Sequence, residues 1–207
     1  MLRIGLTGGL ACGKSTVARR MAARGCRVID ADRVVHALYA PGQPGVDAVR
    51  ALFGDDAIAA DGAVDRRVVA GRVFGDADAR RRLEEAIHPL VRARFRAAAG
   101  ADALPRDDDR LVVDGAERIA VLEVAILFEA GFDREVATCV TVEVGDVEIQ
   151  VARAVARGLA PDDARARIAA QLPSAERQRR ADVTLWNDAD LDALAQRTDA
   201  LVTRLIG

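Results

Sequence analysis

Lys14 is the only lysine in a chain whose Lys and Arg residues number 30, and it stands in the octet Gly8-Gly9-Leu10-Ala11-Cys12-Gly13-Lys14-Ser15. Every fixed position of the phosphate-binding pattern G-x-x-x-x-G-K-[ST] is filled. An ammonium on a flexible stem reaches between two phosphates as a point charge, where a planar guanidinium fits poorly. The octet therefore implies a nucleoside triphosphate, ATP being the expected phosphoryl donor. Gly8, Ala11, Cys12, Gly13, Lys14, Ser15 and Thr16 are expected around its phosphates, with Lys14 on the β- and γ-phosphates and the Ser15 hydroxyl on Mg²⁺.

Phosphoryl transfer needs two further groups: one that orients the acceptor hydroxyl, and one that neutralises charge on the transferring phosphate. Asp30-Ala31-Asp32 offers carboxylates for the first task. Asp32 is the expected partner of the hydroxyl, although Asp is also a favoured helix N-cap and Asp30 could exchange roles with it. Arg153 and Arg157, four apart, can share a helix face and point at the same phosphates. Read without other context, they equally fit a solvated charged face.

These residues need elements to hold them. Leu2 to Leu6 reads as a short buried strand, and Ser15 to Arg24 as a helix stopped by Gly25. Strand, glycine-rich loop and helix N-terminus are the parts that aim backbone N–H groups and a helix dipole at an anion. Further strands are expected at Arg27–Ile29, Leu111–Val113, Ile119–Val124, Cys139–Val142 and Val183–Trp186. Residues 46 to 99 read as helical, with breaks at Gly54, Asp61-Gly62 and Gly75, and with Pro89 bending or restarting the last helix near His88. Residues 100 to 110 read as a polar loop, and Asp114-Gly115 as a turn. Helices are expected at Val147–Arg157, Asp162–Gln171, Ser174–Arg180 and Asp190–Leu205. Such β-α alternation predicts an α/β fold, a parallel sheet with helices on both faces that binds ligands beyond the carboxyl ends of its strands.

At 207 residues and 51% hydrophobic, the chain can bury a proper core as one enzyme with elaborations. A net charge of −2 speaks for neither nucleic-acid nor membrane partners. No apolar run approaches the roughly 18 residues of a membrane span, and no signal peptide precedes the first strand, so a cytoplasmic location is expected. Three scattered cysteines suggest neither a disulfide framework nor a zinc site. Cys12, at a variable position of the loop, reads first as a small filler residue; its place in the loop also suggests that a bulky thiol reagent would block activity, with ATP protecting. Guanine-specific switch GTPases need an N-K-x-D motif, which a chain with its single lysine in the phosphate loop cannot contain.

Six ordered segments resemble one family, dephospho-coenzyme A kinase. They are Gly5-Leu6-Thr7-Gly8-Gly9 through Ala18; Asp30-Ala31-Asp32; Ile87-His88-Pro89-Leu90-Val91-Arg92; Leu127-Phe128-Glu129; Gln150, Arg153 and Arg157 with Gly158-Leu159; and Gln171, Ala181-Asp182 and Asn187. The resemblance implies a P-loop kinase fold with a core at about 1–45, 110–145 and 182–207, a helical coenzyme-binding region at about 46–100 and a mobile arginine-rich lid at about 146–181, whose closure excludes water. It implies transfer of the ATP γ-phosphate to the ribose 3′-hydroxyl of dephospho-coenzyme A, a small-molecule substrate, in the last step of coenzyme A synthesis.

The same resemblance places Lys14, Asp32, Arg153 and Arg157 in catalysis, Asn187 at the adenine end of ATP, and Asp32, His88 and Glu123 at the acceptor. His88, before Pro89, also fits a structural role. Glu123 and Ala125 stand where the family shows Asp and Pro, Trp186 and Ala189 where it shows Asp and Gly, and Arg177 where it usually has Lys. Residues 101–118 look like added length. Two other readings stay open: a P-loop kinase acting on a nucleoside monophosphate or sugar acid, and a nucleotide-binding regulator without transfer activity.

Overall fold

Strand β1 (Leu2–Gly8) is buried from Ile4 onward, as expected for a central strand with both faces covered. The computed structural model describes residues 1–100 and 116–206. The expected strand at 111–113, the turn at 114–115 and all but the first residue of the expected 100–110 loop lie outside the described residues. The remaining strands are β2 (Arg27–Asp30), β3 (Ile119–Glu123), β4 (Thr138–Glu143) and β5 (Val183–Trp186), in the sheet order β2-β3-β1-β4-β5. β1 pairs in parallel with β3 and β4, and β4 in parallel with β5. Leu6 stands opposite Glu123, and Gly8 opposite Val142. Two glutamates, Glu123 and Glu143, thus end the strands on either side of the one that feeds the phosphate loop.

By internal packing the chain divides into two units, Met1–Ile29 with Ala99–Gly207, and Asp30–Ala98. In the first, α1 (Lys14–Ala23) and α9 (Leu191–Ile206) cover the sheet, with Val17, Met21, Leu194, Leu201 and Val202 in the same core as Ile4, Val121 and Val140. Each such side chain, fully buried, contributes about 1.5–3 kcal/mol of hydrophobic stabilisation. Between β4 and β5 the chain forms α6 (Val147–Val155), α7 (Pro161–Ala169) and α8 (Ser174–Arg180). Asp146 caps α6 through the N–H of Glu148, and Pro161 opens α7 where its missing N–H costs nothing.

The second unit holds α2 (Ala31–Leu38), α3 (Pro44–Phe53), α4 (Arg66–Val73) and most of α5 (Ala77–Gly100). Val46, Val49, Phe53, Ala57, Val64 and Val69 form its core, with Tyr39 packed against it. Residues 30–45, expected with the sheet, cluster here because Tyr39 joins this core and its carbonyl accepts from Val64 N–H. An isolated antiparallel bridge, Ile58 to Val64, closes the turn at Asp61-Gly62. The last helix does not restart at Pro89; it runs unbroken through it. Ile87, Val91 and Phe95, spaced four apart, are all buried, and packing of that stripe outweighs the hydrogen bond that proline omits.

Candidate active site

Helix α1 begins without a side-chain cap. Its N-cap is Gly13, in a left-handed conformation with φ 102°, so the first N–H groups of the helix remain available to an anion. A side chain at Gly13 would be strained by that φ, and its Cβ would stand 2.4 Å from Asn187 Nδ2. At Gly9 the obstacle is crowding: a Cβ would meet Gln150 Nε2 at 2.5 Å and Arg177 Nη2 at 2.9 Å. The loop glycines admit a tight turn and also let neighbouring side chains press against its backbone.

Lys14 Nζ and Ser15 Oγ both donate to Glu123 Oε1, at 2.9 and 2.8 Å. Glu123 is 7% exposed, whereas Lys14 is partly exposed and Ser15 exposed, so a buried carboxylate meets an ammonium and a hydroxyl that solvent or a ligand can reach. Glu123, assigned by resemblance to the acceptor, thus contacts Lys14 and Ser15 of the glycine-rich loop; the register that sets it opposite Leu6 brings it there. Ala125, in the family's proline position, has its carbonyl held by the Thr7 hydroxyl at 3.0 Å. A tertiary hydrogen bond thus restrains the backbone that lacks the proline.

On the other flank of the loop, Ala11, Gly13, Thr16, Arg153, Arg157, Asn187 and residues 189–191 line an open cavity of about 250 Å³. Asn187 Nδ2 donates to the Cys12 carbonyl at 2.8 Å, and Arg153 Nη2 to the Asn187 carbonyl at 3.2 Å. Asn187 Oδ1 and Arg153 Nη1 are buried without a protein partner, which leaves one acceptor and one donor among the residues of this cavity. Arg157 lies just past the end of α6, in a turn closed by its N–H to Ala154 O. The two arginines reach one cavity, Arg157 from that turn and not from the helix face the spacing predicted.

Beneath the loop lies a group that sequence reasoning missed. Arg177 Nε and Nη2 donate to the two oxygens of Glu143, each at 2.7 Å, and its Nη1 binds the Leu172 carbonyl. Both side chains are almost fully buried. Burial opposes the charge on Arg177, but the hydrogen bonds and charge of Glu143 outweigh it and hold the guanidinium above its ordinary pKa. Ser174 and Thr141 complete the carboxylate's hydrogen bonds. The one available signal was an arginine at a position where the resembling family has lysine.

Cys12 is fully buried. Burial, aided by the charge of Glu143, pushes its thiol up to about 11, which overturns the expectation of a reactive loop cysteine. In the second unit, Asp30 is the N-cap of α2: its Oδ1 accepts from the N–H groups of Asp32 at 2.9 Å and Arg33 at 3.2 Å. That assigns the cap and leaves the exposed Asp32 carboxylate to other work. His88, half-buried on α5, has its pKa lowered by burial, with Glu84 opposing and Arg92 assisting. Among the described residues no helix is long and apolar enough to cross a membrane.

The family model for dephospho-CoA kinase matches residues 2–193. The chain belongs to that family. It is 43% identical over 205 residues to the dephospho-CoA kinase of Methylococcus capsulatus, covering 99% of this chain and 96% of that one. With the dephospho-CoA kinase of Symbiobacterium thermophilum it shares 40% over 198 residues, 95% of this chain and 78% of that one. Among solved structures it is similar to TT1252 from Thermus thermophilus, with a TM-score of 0.78, 29% identity and coverage of 100% and 98% of the two chains. The dephospho-CoA kinase from Campylobacter jejuni, at 18% identity, shares the fold with a TM-score of 0.61 over 99% of this chain and 97% of that one. Family membership gives the P-loop kinase fold its context. The loop, the cavity and the two arginines beside it lie together in that fold.

Proposed function

We infer that the chain transfers the γ-phosphate of ATP to the ribose 3′-hydroxyl of dephospho-coenzyme A, giving coenzyme A in the last step of its synthesis. It is an ATP-dependent kinase of the dephospho-CoA kinase family. The observation that carries the reading is the cavity shared by Gly13, Thr16, Arg153, Arg157 and Asn187. It continues from the phosphate loop and is lined by two cations, Arg153 and Arg157, and by Asn187.

Lys14, released from Glu123 by competing phosphate oxygens, holds the β- and γ-phosphates through transfer. The unsatisfied N–H groups at the start of α1 take the remaining phosphate charge. Arg153 and Arg157 offset the charge that spreads over the transferring group, and Arg153 braces the Asn187 backbone at the same time. Ser15 Oγ and Glu123 Oε1 are adjacent hard oxygen donors, the kind Mg²⁺ takes alongside phosphate oxygens and water. They are the residues that would hold it, and when bound it neutralises phosphate charge. Asp32 takes the acceptor hydroxyl in hydrogen bond and receives its proton, and His88 belongs with the acceptor through the same resemblance.

A coupled ADP-release assay with ATP, Mg²⁺ and a panel of dephospho-coenzyme A, adenosine monophosphate, cytidine monophosphate and gluconate tests this reading, with the product mass recorded. A gain of one phosphate on dephospho-coenzyme A alone is the expected result. Transfer to another member of the panel would retain the kinase and replace the acceptor. ATP binding without transfer to any of them would overturn the reaction.

A further inference from the structure

Leu10, at the tip of the phosphate loop, has both backbone groups bound by side chains from the α6–α8 segment. Its N–H donates to Gln171 Oε1 at 2.8 Å, and its carbonyl accepts from Gln150 Nε2 at 2.9 Å. The same Gln150 Nε2 lies 3.0 Å from Cys12 Sγ. Around these bonds, Ala11 is buried in one apolar cluster with Val151, Ala154 and Ala164, and Leu10, Leu159 and Ile168 pack against it. The tip of the loop is thus part of the small core that joins α6 to α7. Gln150 is also one turn before Arg153 on the helix that carries it toward the nucleotide cavity.

We propose that Gln150 and Gln171 are positioning residues, which clamp Leu10 and thereby fix Arg153 and Arg157 over the nucleotide bound by the loop. The proposal rests on the nucleotide site described above and adds the device that sets its arginines. A segment tied to the loop by two hydrogen bonds and a shared apolar cluster does not swing freely as a lid. Its arginines are preorganised, and their position moves only as far as the loop's own tip.

The polarity of the clamp gives it a test. Backbone groups define the roles: a carbonyl requires Gln150 to donate, and an N–H requires Gln171 to accept. A glutamate at position 171 can still accept from Leu10, whereas a glutamate at position 150 cannot donate to it. ATP affinity is measured directly by titration calorimetry on Gln150→Leu, Gln171→Leu, Gln150→Glu and Gln171→Glu, each alone and combined with Arg157→Ala. Direct binding needs no acceptor, so the result stands whether or not dephospho-coenzyme A is the substrate.

Both leucine variants should weaken ATP binding by about tenfold, the scale of a hydrogen bond to a charged group lost when the arginines are no longer held over the nucleotide. Gln171→Glu should bind better than Gln171→Leu, while Gln150→Glu, which adds the same charge, should bind no better than Gln150→Leu. In the Arg157→Ala background the leucine substitutions should lose most of their effect, a non-additivity that a merely structural role would not produce. Equal affinities for the wild type and both leucine variants would overturn the clamp. So would equal losses in Gln171→Leu and Gln171→Glu, or full additivity with Arg157→Ala. Because Gln171 is less buried than Gln150, its two variants and their Arg157→Ala combinations decide the matter even where a substitution at 150 prevents folding.

Discussion

Arg177 and Glu143 form a two-pronged ion pair directly beneath the phosphate loop, with Arg177 Nη2 so close to Gly9 that no side chain fits between them. The pair ties the end of β4 to α8, and through the Leu172 carbonyl to the chain that leaves α7. It lies where the loop turns away from the sheet, so its integrity is a condition for the loop's shape.

Arg177→Met is expected to destabilise the fold by about 3–5 kcal/mol, because it strands the Glu143 carboxylate in a dry site. Arg177→Lys keeps the charge but loses the fork and the Leu172 contact, and should cost less. Chemical denaturation of the three proteins checks the order. A stability for Arg177→Met within about 1 kcal/mol of the parent would show that the pair contributes nothing net.

Asp30 and Asp32 should separate cleanly. Asp32→Asn should leave ATP affinity nearly unchanged and reduce turnover at least about 10²-fold, the scale of a positioned acid–base group. Asp30→Ala should instead cost about 1 kcal/mol of stability through the lost cap on α2. Turnover and melting curves for both variants provide the comparison. Near-normal turnover in Asp32→Asn would remove it from the mechanism.

Lys14→Ala should impair ATP binding and turnover together, since the ammonium contacts phosphate before and during transfer. Glu123→Gln should act differently. It keeps an acceptor for Ser15 and Lys14 but removes the negative charge, so turnover should fall and the Mg²⁺ concentration needed for half-maximal rate should rise severalfold. Steady-state rates across a Mg²⁺ series distinguish the two. An unchanged Mg²⁺ requirement would detach Glu123 from the metal.

The three cysteines should be inert in the native protein at pH 8. Each is pushed up to about 11, mainly by burial, so only about one part in a thousand is thiolate there. Their folded pKa values lie above that of an exposed thiol. The stability they contribute is therefore complete below the unfolded pKa and falls as pH rises through about 9 toward 11. Alkylation rates followed from pH 7 to 10 should be slow and rise with pH, and denaturant should release all three thiols. Rapid labelling of Cys12 at pH 7 would contradict its burial.

Much of the architecture was legible because it is local. The octet, the buried strand before it and the helix after it carry their own geometry, and α8 and β5 fall where their patterns place them. The aspartate at the start of α2 announces a cap, although two candidates stand two residues apart, and only the backbone geometry selects Asp30. Pro89 misleads for the opposite reason. Its local preference against helix is real, and it is overruled by burial of the stripe Ile87, Val91 and Phe95.

From the residue order alone came the anion-binding chemistry of Lys14 and Ser15, since that chemistry is stored in consecutive backbone N–H groups and one glycine turn. The family resemblance was equally available, because it resides in short ordered segments. Folding decided which side chains converge on the loop. Leu10 meets Gln171 across 161 positions, Cys12 meets Asn187 across 175, and Arg177 meets Glu143 across 34. No periodicity records such a pairing, because it depends on sheet order, strand register and the return path of α6 to α8. The tertiary structure thereby placed Glu123 against Lys14 and Ser15, buried Cys12 and set both arginines on a single cavity.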